Sequence, residues 1–505
     1  MTVVVNRRAD FTLDNFRRVA NARAEVEIGP VAHDAMAAAR RSFLALLDSD
    51  RTAFIYGTTT RPGIEVATAV PPDQQREYAR LFRSESGYGF GGGCHAEQVV
   101  RGMVFARLAD FVEGHARVRP EFAERVAALL RTPLPCVPLD GQAGPGEVLP
   151  MLLLAGWMED FEFEEGEGMA LVNGSPYSTA VLADSAVRAR NRLAQAEALF
   201  ALSADAFRAP LEAYDEALED LWADEYQAEA LRALRAHLAD AEVSGRLSHQ
   251  APVSFRIVPR LLGEARRAVA EAERAAAAAL RSVSLNPVYF PPGPHHPLGR
   301  MASNGGFHNA TAPPVLQSLS SCWAELALAA ERQIECFHRG SAYGLPHLLS
   351  PPGYRGAIGG PTSLFGWAVT GYVEAARAAA APALMPAVVV DSQNDLSTAT
   401  PLAHQKELRA AEAFGGVQAI LALVASQALF ATGRRPAPPL TDLVAGIRSV
   451  FPPVDSPHGR DLGAQAGRLA GVFQAGSVTG RLDFAQPDAA GPPGDEVPAV
   501  VLPDL

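Results

Sequence analysis

EARRAVAEAERAAAAALRS, residues 264–282, is the stretch that decides the fold class. Alanine, glutamate, arginine and leucine are strong helix formers, and the acids and arginines fall at spacings suited to pairing along a helix surface. Working outward, the blocks 184–201, 210–241, 263–283, 318–338 and 402–432 share this composition and a helical periodicity. Several are longer than a typical globular helix and carry apolar residues on more than one side, as helices do when they pack against several neighbours in a central bundle. Glycine- and proline-rich connections lie between them at 87–93, 133–150, 286–297, 345–361 and 434–439. Strand-like segments are scarce, the β-branched run Val388 to Val390 being an example. The reading is a mostly α protein in three regions. Residues 1–200 form a loop-rich helical part, 201–480 a bundle of long helices, and 481–505 a flexible tail rich in proline and aspartate.

The 505 residues are 48% hydrophobic and 20% charged, with a net charge of −12. An acidic balance argues against a nucleic-acid binder, and no polybasic run suggests an anionic membrane surface. The apolar stretch 415–432 contains Gln418 and Gln427 and reads as a buried helix rather than a membrane span. The N-terminus has no apolar stretch long enough for a signal peptide. Cys94, Cys136, Cys322 and Cys336 form no CxxC pair and read as isolated thiols in a reducing cytoplasm. Lys406 is the one lysine, in the polar helical stretch HQKELRAAEA. A pyridoxal Schiff base or a Walker A loop would have to use it, so neither is expected. GYGFGGG, residues 87–93, contains GxGxxG without a preceding strand and is not read as a nucleotide site. His295 and His296 sit in a loop with no carboxylate at helical spacing, so no metal is expected there. The acidic run 159–168 reads as a solvated connection.

Eight further segments carry a resemblance by their order. IYGTTTRPG (55–63) looks like a YGVNTGFG loop, and a long helical segment follows at 99–130. GEGMALVNGSPYSTA (166–180) is close to KEGLALINGT, and QAPVSFRIVPRLLG (250–263) tracks QDxYSLRCxPQVxG. NGGFHNA (304–310) tracks GGNFHG, AERQIE (330–335) stands for SERR, YGLP (343–346) for SGLP, and SQND (392–395) for NQED. Together they resemble the histidine and phenylalanine ammonia-lyase family, whose members use the electrophile methylidene-imidazolone. The resemblance implies a fumarase/aspartase-type bundle of long central helices, a loop-rich active-site region and a homotetramer. It also implies roles. Tyr56 matches the general base, Asn173 the asparagine that contacts the reacting group, and Arg256 the arginine that binds the substrate carboxylate. Phe307 and Gln393 match residues beside the electrophile. Thr59, Thr60 and Asn394 stand at further substrate-contacting positions, as does either Ser84 or Glu85, depending on where the gap in SESGYG is placed. The chemistry suits these types: an arginine pairs a carboxylate in two places, and a tyrosine serves as base where donors or positive charge surround it.

The family builds its electrophile from Ala-Ser-Gly, within a stretch like PLRGSVGASGDLAPL. The matching stretch here, PLDGQAGPGEVLPM (138–151), reads Gly144-Pro145-Gly146, and no serine occurs between Ser86 and Ser175. Proline has no hydroxyl to eliminate and its ring fixes φ, so the prosthetic group is not expected to form. Val253 replaces a second catalytic tyrosine, Ala251 an aspartate, Gly306 an asparagine and Asn394 a glutamate. The expectation is therefore a cofactor-free acid–base lyase, isomerase or cyclase in specialised metabolism, acting on a carboxylate-bearing amino-acid-derived metabolite. The alternatives are a non-catalytic homologue that binds or scaffolds, and an enzyme with residual aromatic amino acid ammonia-lyase activity.

Overall fold

The computed structural model describes residues 2–84, 89–158, 160–383, 393–457, 459–485 and 500–501. The strand-like run Val388 to Val390 and Glu85 lie outside these residues. Long helices dominate: Pro176–Ala206, Val258–Leu280, Ala312–His338 and Thr400–Thr432. They extend four of the helical blocks anticipated from composition. The fifth, 210–241, is not one helix. It breaks into a 3-10 turn, Leu211–Tyr214, and the helices Ala217–Trp222 and Glu225–His237. Ala223 takes a left-handed conformation and Asp224 caps the last helix by accepting from the Gln227 N–H, a local restart that helix propensity does not register.

The chain divides into two compact units, each assembled from separated segments. The first comprises Met1–Ala186, Ala272–Leu316 and Ala383–Gln405, and the second Val187–Glu271, Gln317–Pro382 and Lys406–Leu505. Each unit thus draws on segments from both sides of position 200. Phe307 falls in the unit that holds Tyr56, and Arg256 in the other.

In the first unit, the helix Glu97–Phe111 is buried on every side from Val99 onward, Arg101, Arg107 and Asp110 included. Those charges are matched locally. Arg101 donates to the carbonyls of Val19, Leu130 and Ala24, and Arg107 meets Asp110 at 2.8 Å. Phe11 and Phe16 pack on Phe105 with ring centroids 4.8 and 6.5 Å away. Strands are short: Thr2–Val5 pairs in parallel with Glu25–Ile28, and Val288–Phe290 antiparallel with Arg300–Ala302. The acidic run 159–168 is not a solvated connection. Glu167 is fully buried against Arg119 at 2.8 Å, Glu164 meets Arg40 and Arg76, and Glu162 meets Arg80. Arginines distant in sequence gather on it. His295 and His296 are exposed. The expectation of four isolated thiols also fails: Cys94 and Cys136 form a disulfide, with Cα atoms 5.4 Å apart. Their separation of 42 residues gives no sequence signal, and a short stretch of paired backbone, described below, brings them together. The argument for a reducing compartment that rested on free thiols is lost with it.

In the second unit, Trp323 is fully buried and stacks on Phe414 at 5.8 Å. Its Nε1 donates to Glu407, and the Arg192 guanidinium lies 5.3 Å above its ring and 3.8 Å from Glu407. Arg266 and Glu197 form a second buried pair at 2.7 Å. The helix Thr400–Thr432 is, among the described residues, long and apolar enough to cross a membrane, but 94% of its most apolar window is buried inside the fold. Among the described residues of the tail, Val500–Val501 pairs with Arg481–Leu482. Replacing Trp323 with alanine should remove roughly 3–5 kcal/mol, since it opens a large void and takes a donor from Glu407. Guanidinium denaturation of the two proteins measures this, and a loss below about 1 kcal/mol would show that Trp323 is not a core anchor.

Candidate active site

A cavity of about 810 Å³ opens in the first unit. Tyr56, Gly144, Pro145, Asn173, Phe307, Gln393 and Asn394 all line it, so the fold brings together residues spread over more than 300 positions. Val148, Leu149, Leu152 and Phe82 form an apolar wall. Among the described residues, no charged side chain lines the cavity.

The Tyr56 loop closes on itself. The Ile55 carbonyl accepts from the N–H groups of Thr58 and Thr59 at 3.0 and 2.9 Å. The Thr59 hydroxyl accepts from the Ile55 N–H at 2.7 Å and donates to the Ala53 carbonyl at 2.6 Å. Gly57 has φ +67° and a Cβ there would meet Met169 at 2.6 Å, so both conformation and space call for glycine. This turn delivers Tyr56, whose hydroxyl accepts from the Gly63 N–H at 2.8 Å. The Asn394 amide stands over the same Gly63, 3.1 Å from where a Cβ would be. Thr59 and Thr60, expected to contact substrate, are buried and absent from the cavity wall. Thr59 instead shapes the loop. Ser84 ends the helix Gln75–Ser84, and its side chain lies outside the described structure.

Asn173 ends the helix Glu167–Val172, with its N–H bonded to the Met169 carbonyl at 3.1 Å. Its side chain is 7% exposed, and Oδ1 has no hydrogen-bond partner among the described residues. A buried acceptor without a donor is costly, so a ligand donor in the cavity would satisfy it. The turn after Asn173 is fixed from three sides. The Gly174 N–H donates to the Gly146 carbonyl at 3.0 Å, the Ser175 N–H to the Ser284 hydroxyl at 3.0 Å, and the Ser284 N–H to Asp110 at 2.6 Å.

Gly144 and Pro145 also line the cavity, and Gly146 follows them against Asn173. Gly144 has φ +140° and its N–H donates to the Ser397 hydroxyl at 2.9 Å. Gly146 has φ +69°, and a Cβ there would lie 2.7 Å from the Asn173 amide nitrogen. These residues do not fit the electrophile of the resembled family. Pro145 offers neither a hydroxyl to lose nor an N–H to give up in forming an imidazolone ring, and its own ring opens a 3-10 turn, Pro145–Glu147.

Glu147 was not anticipated, although the family stretch has an acid at that place. It is buried and left-handed (φ 52°), and its carboxylate accepts from the Ser178 N–H at 3.1 Å and from the Ser178 hydroxyl. Ser178 in turn reaches Thr400 at 2.8 Å. Burial pushes the Glu147 carboxyl up to about 7, against the pull of Ser178, the Tyr177 backbone and Arg107. Asn286, Ser303 and Asn304 were missed as well, and add polar groups to the cavity. Asn304 is already occupied, accepting from the Gly306 N–H and donating to the Leu285 carbonyl. Arg256 lies in the second unit on the short helix Val253–Arg256, where its Nε donates to the Ala251 carbonyl at 2.9 Å. It is not a lining residue of the cavity.

A family model described as aromatic amino acid lyase matches residues 11–159 and 150–449. The histidine ammonia-lyase of Streptomyces griseus is 30% identical over 395 residues, covering 69% of this chain and 72% of that protein. Among solved structures, the tyrosine aminomutase of Streptomyces globisporus has a TM-score of 0.81 at 21% identity, covering 95% of this chain and 98% of that one. The histidine ammonia-lyase of Trypanosoma cruzi has a TM-score of 0.80 at 23% identity, covering 95% and 94%. The chain belongs to the aromatic amino acid lyase family, and its helical fold is that of these enzymes.

Glu147 titrates in a definite sense. Its folded value of about 7 lies above the ordinary 4.5, so the stability it contributes is complete below about pH 4.5 and is lost as pH rises through about 7. Glu147→Gln should flatten the fall in unfolding midpoint across that interval relative to the parent protein. Parallel slopes in the two proteins would show that this carboxyl ionises normally.

Proposed function

We propose that this chain is an enzyme of its family that works without methylidene-imidazolone, by acid–base chemistry on an amino-acid-derived metabolite bearing a carboxylate. The observation that carries the reading is the pairing, across one cavity, of a tyrosine held by a backbone donor with a wall of Gly144-Pro145 that offers no electrophile.

Tyr56 removes or returns a proton at the reacting carbon. The Gly63 N–H donates to the Tyr56 hydroxyl at 2.8 Å and fixes it at the cavity wall. Asn173 and Gln393 bind the polar group beside that carbon, the Asn173 Oδ1 being the open acceptor. Phe307 and the apolar wall hold the rest of the substrate. Arg256 binds the carboxylate, supplied by a neighbouring copy within the homotetramer that the family resemblance implies. Positioning and proton transfer alone do not expel ammonia from an unactivated amino acid. The substrate therefore carries a better leaving group or a more acidic proton, and the outcome is an elimination, addition, isomerisation or cyclisation.

The 30% identity to a histidine ammonia-lyase favours a second reading, ammonia release from histidine or an aromatic amino acid. Two measurements separate them. Intact mass should equal the encoded mass less the two hydrogens lost in the Cys94–Cys136 disulfide, with no added near-ultraviolet absorption, and histidine, phenylalanine and tyrosine should yield no absorbing acrylate. A deficit of two waters, or acrylate formation, overturns the proposal. On a substrate that is turned over, Tyr56→Phe should lower kcat by roughly 10²-fold or more with KM little changed. An unaltered kcat removes Tyr56 from the chemistry.

A further inference from the structure

The Cys94–Cys136 disulfide lies outside the machinery described so far, yet it borders both a second cavity and the cavity loop. The two cysteines are exposed. Their segments are paired by backbone: the His95 N–H donates to the Val137 carbonyl at 2.8 Å, the Leu139 N–H to the Gly93 carbonyl at 3.3 Å, and Cys94 bridges Pro138. From there the chain runs directly into Ala143, Gly144 and Pro145 of the active-site wall.

The second cavity, about 550 Å³, is lined by Cys136 but not by Cys94. It also holds three arginines, Arg23, Arg101 and Arg131, against one acid, Glu97. Arg101 is buried and spends its guanidinium on carbonyl oxygens, so no carboxylate neutralises it by contact. Arg23 pairs with Glu97 and Arg131 with Glu25, but both are solvent-exposed pairs, which a ligand carboxylate displaces at little cost. The cavity thus offers an anion a positive site next to one particular sulfur.

We propose that Cys136 is a site of thiol–disulfide exchange with low-molecular-weight thiols that carry carboxylates, bound in this cavity by Arg23 and Arg131. The incoming thiolate attacks the Cys136 sulfur from the cavity side. A new sulfur–sulfur bond forms to Cys136 and the bond to Cys94 breaks. Cys94 departs with the electron pair as a thiolate and takes a proton from water, so the protein ends with a mixed disulfide at Cys136 and a thiol at Cys94. No further oxidant is required. Opening the bridge leaves the backbone bonds and the Gln405 amide, which donates to the Leu139 carbonyl at 2.6 Å, to hold residues 137–141 in place, and so loosens the wall that contains Pro145.

The test uses the full-length protein with glutathione, a thiol bearing carboxylates, and 2-mercaptoethanol, an uncharged one, compared at equal thiolate concentration. Peptide mass spectrometry should find glutathione on Cys136, with Cys94 free to take up iodoacetamide. The rate should be several-fold greater with glutathione. The double change Arg23→Gln and Arg131→Gln should abolish that preference while leaving the 2-mercaptoethanol rate unchanged. Hydrogen exchange across 136–147 should rise in the glutathione adduct. Alkylation of both cysteines before any thiol is added, an adduct on Cys94 instead, or a preference that survives the double change would each overturn the proposal.

Discussion

The ion pair of Arg107 and Asp110, buried inside a helix with no polar face, is the constraint on which the site depends. A buried ion pair is costly unless hydrogen bonds offset its desolvation, and while Arg107 Nε and Nη2 have no hydrogen-bond partner among the described residues, Asp110 has one beyond the pair. Asp110 uses its share on Ser284, and Ser284 passes the constraint to Ser175. The Asn173 turn is therefore placed by a charge two layers behind it. Removing Asp110 would leave Arg107 unpaired in the core, and the Asn173 turn would lose its support in the same step.

A similar logic governs the loop from Gly144 to Glu147. Glu147 occupies a strained left-handed conformation after two glycines of positive φ, and Ser178 and Thr400 hold it there. Positive φ at three of four consecutive residues, each of the three bonded to a partner distant in sequence, marks a loop whose shape is specified. Gly146 packs so tightly on Asn173 that the two walls act as a single piece.

Much of this was legible in the residues. The helical composition of 264–282 and the ordered motifs led to the helical fold, and seven of the positions they marked, Tyr56 and Asn173 among them, meet at one cavity. What stayed hidden was relational. Thr59 looked like a ligand contact because it sits in the motif, but its hydroxyl is consumed by Ile55 and Ala53. The acidic run looked solvated because its arginine partners come from elsewhere in the chain. The cysteines looked isolated because 42 residues separate them. In each case the deciding contact is long-range, and local pattern carries no information about it.

The interleaving of the two units bears on how the chain is made. The first unit takes its last segment from residues 383–405, so it has no complete set of parts until four-fifths of the polypeptide has been synthesised. Gly144 and Pro145 emerge early, and their loop must wait for Ser397 and Thr400 before it can lock. Vectorial synthesis thus leaves the apolar cavity wall unfinished for most of translation, a long interval in which exposed hydrophobic surface invites chaperone binding.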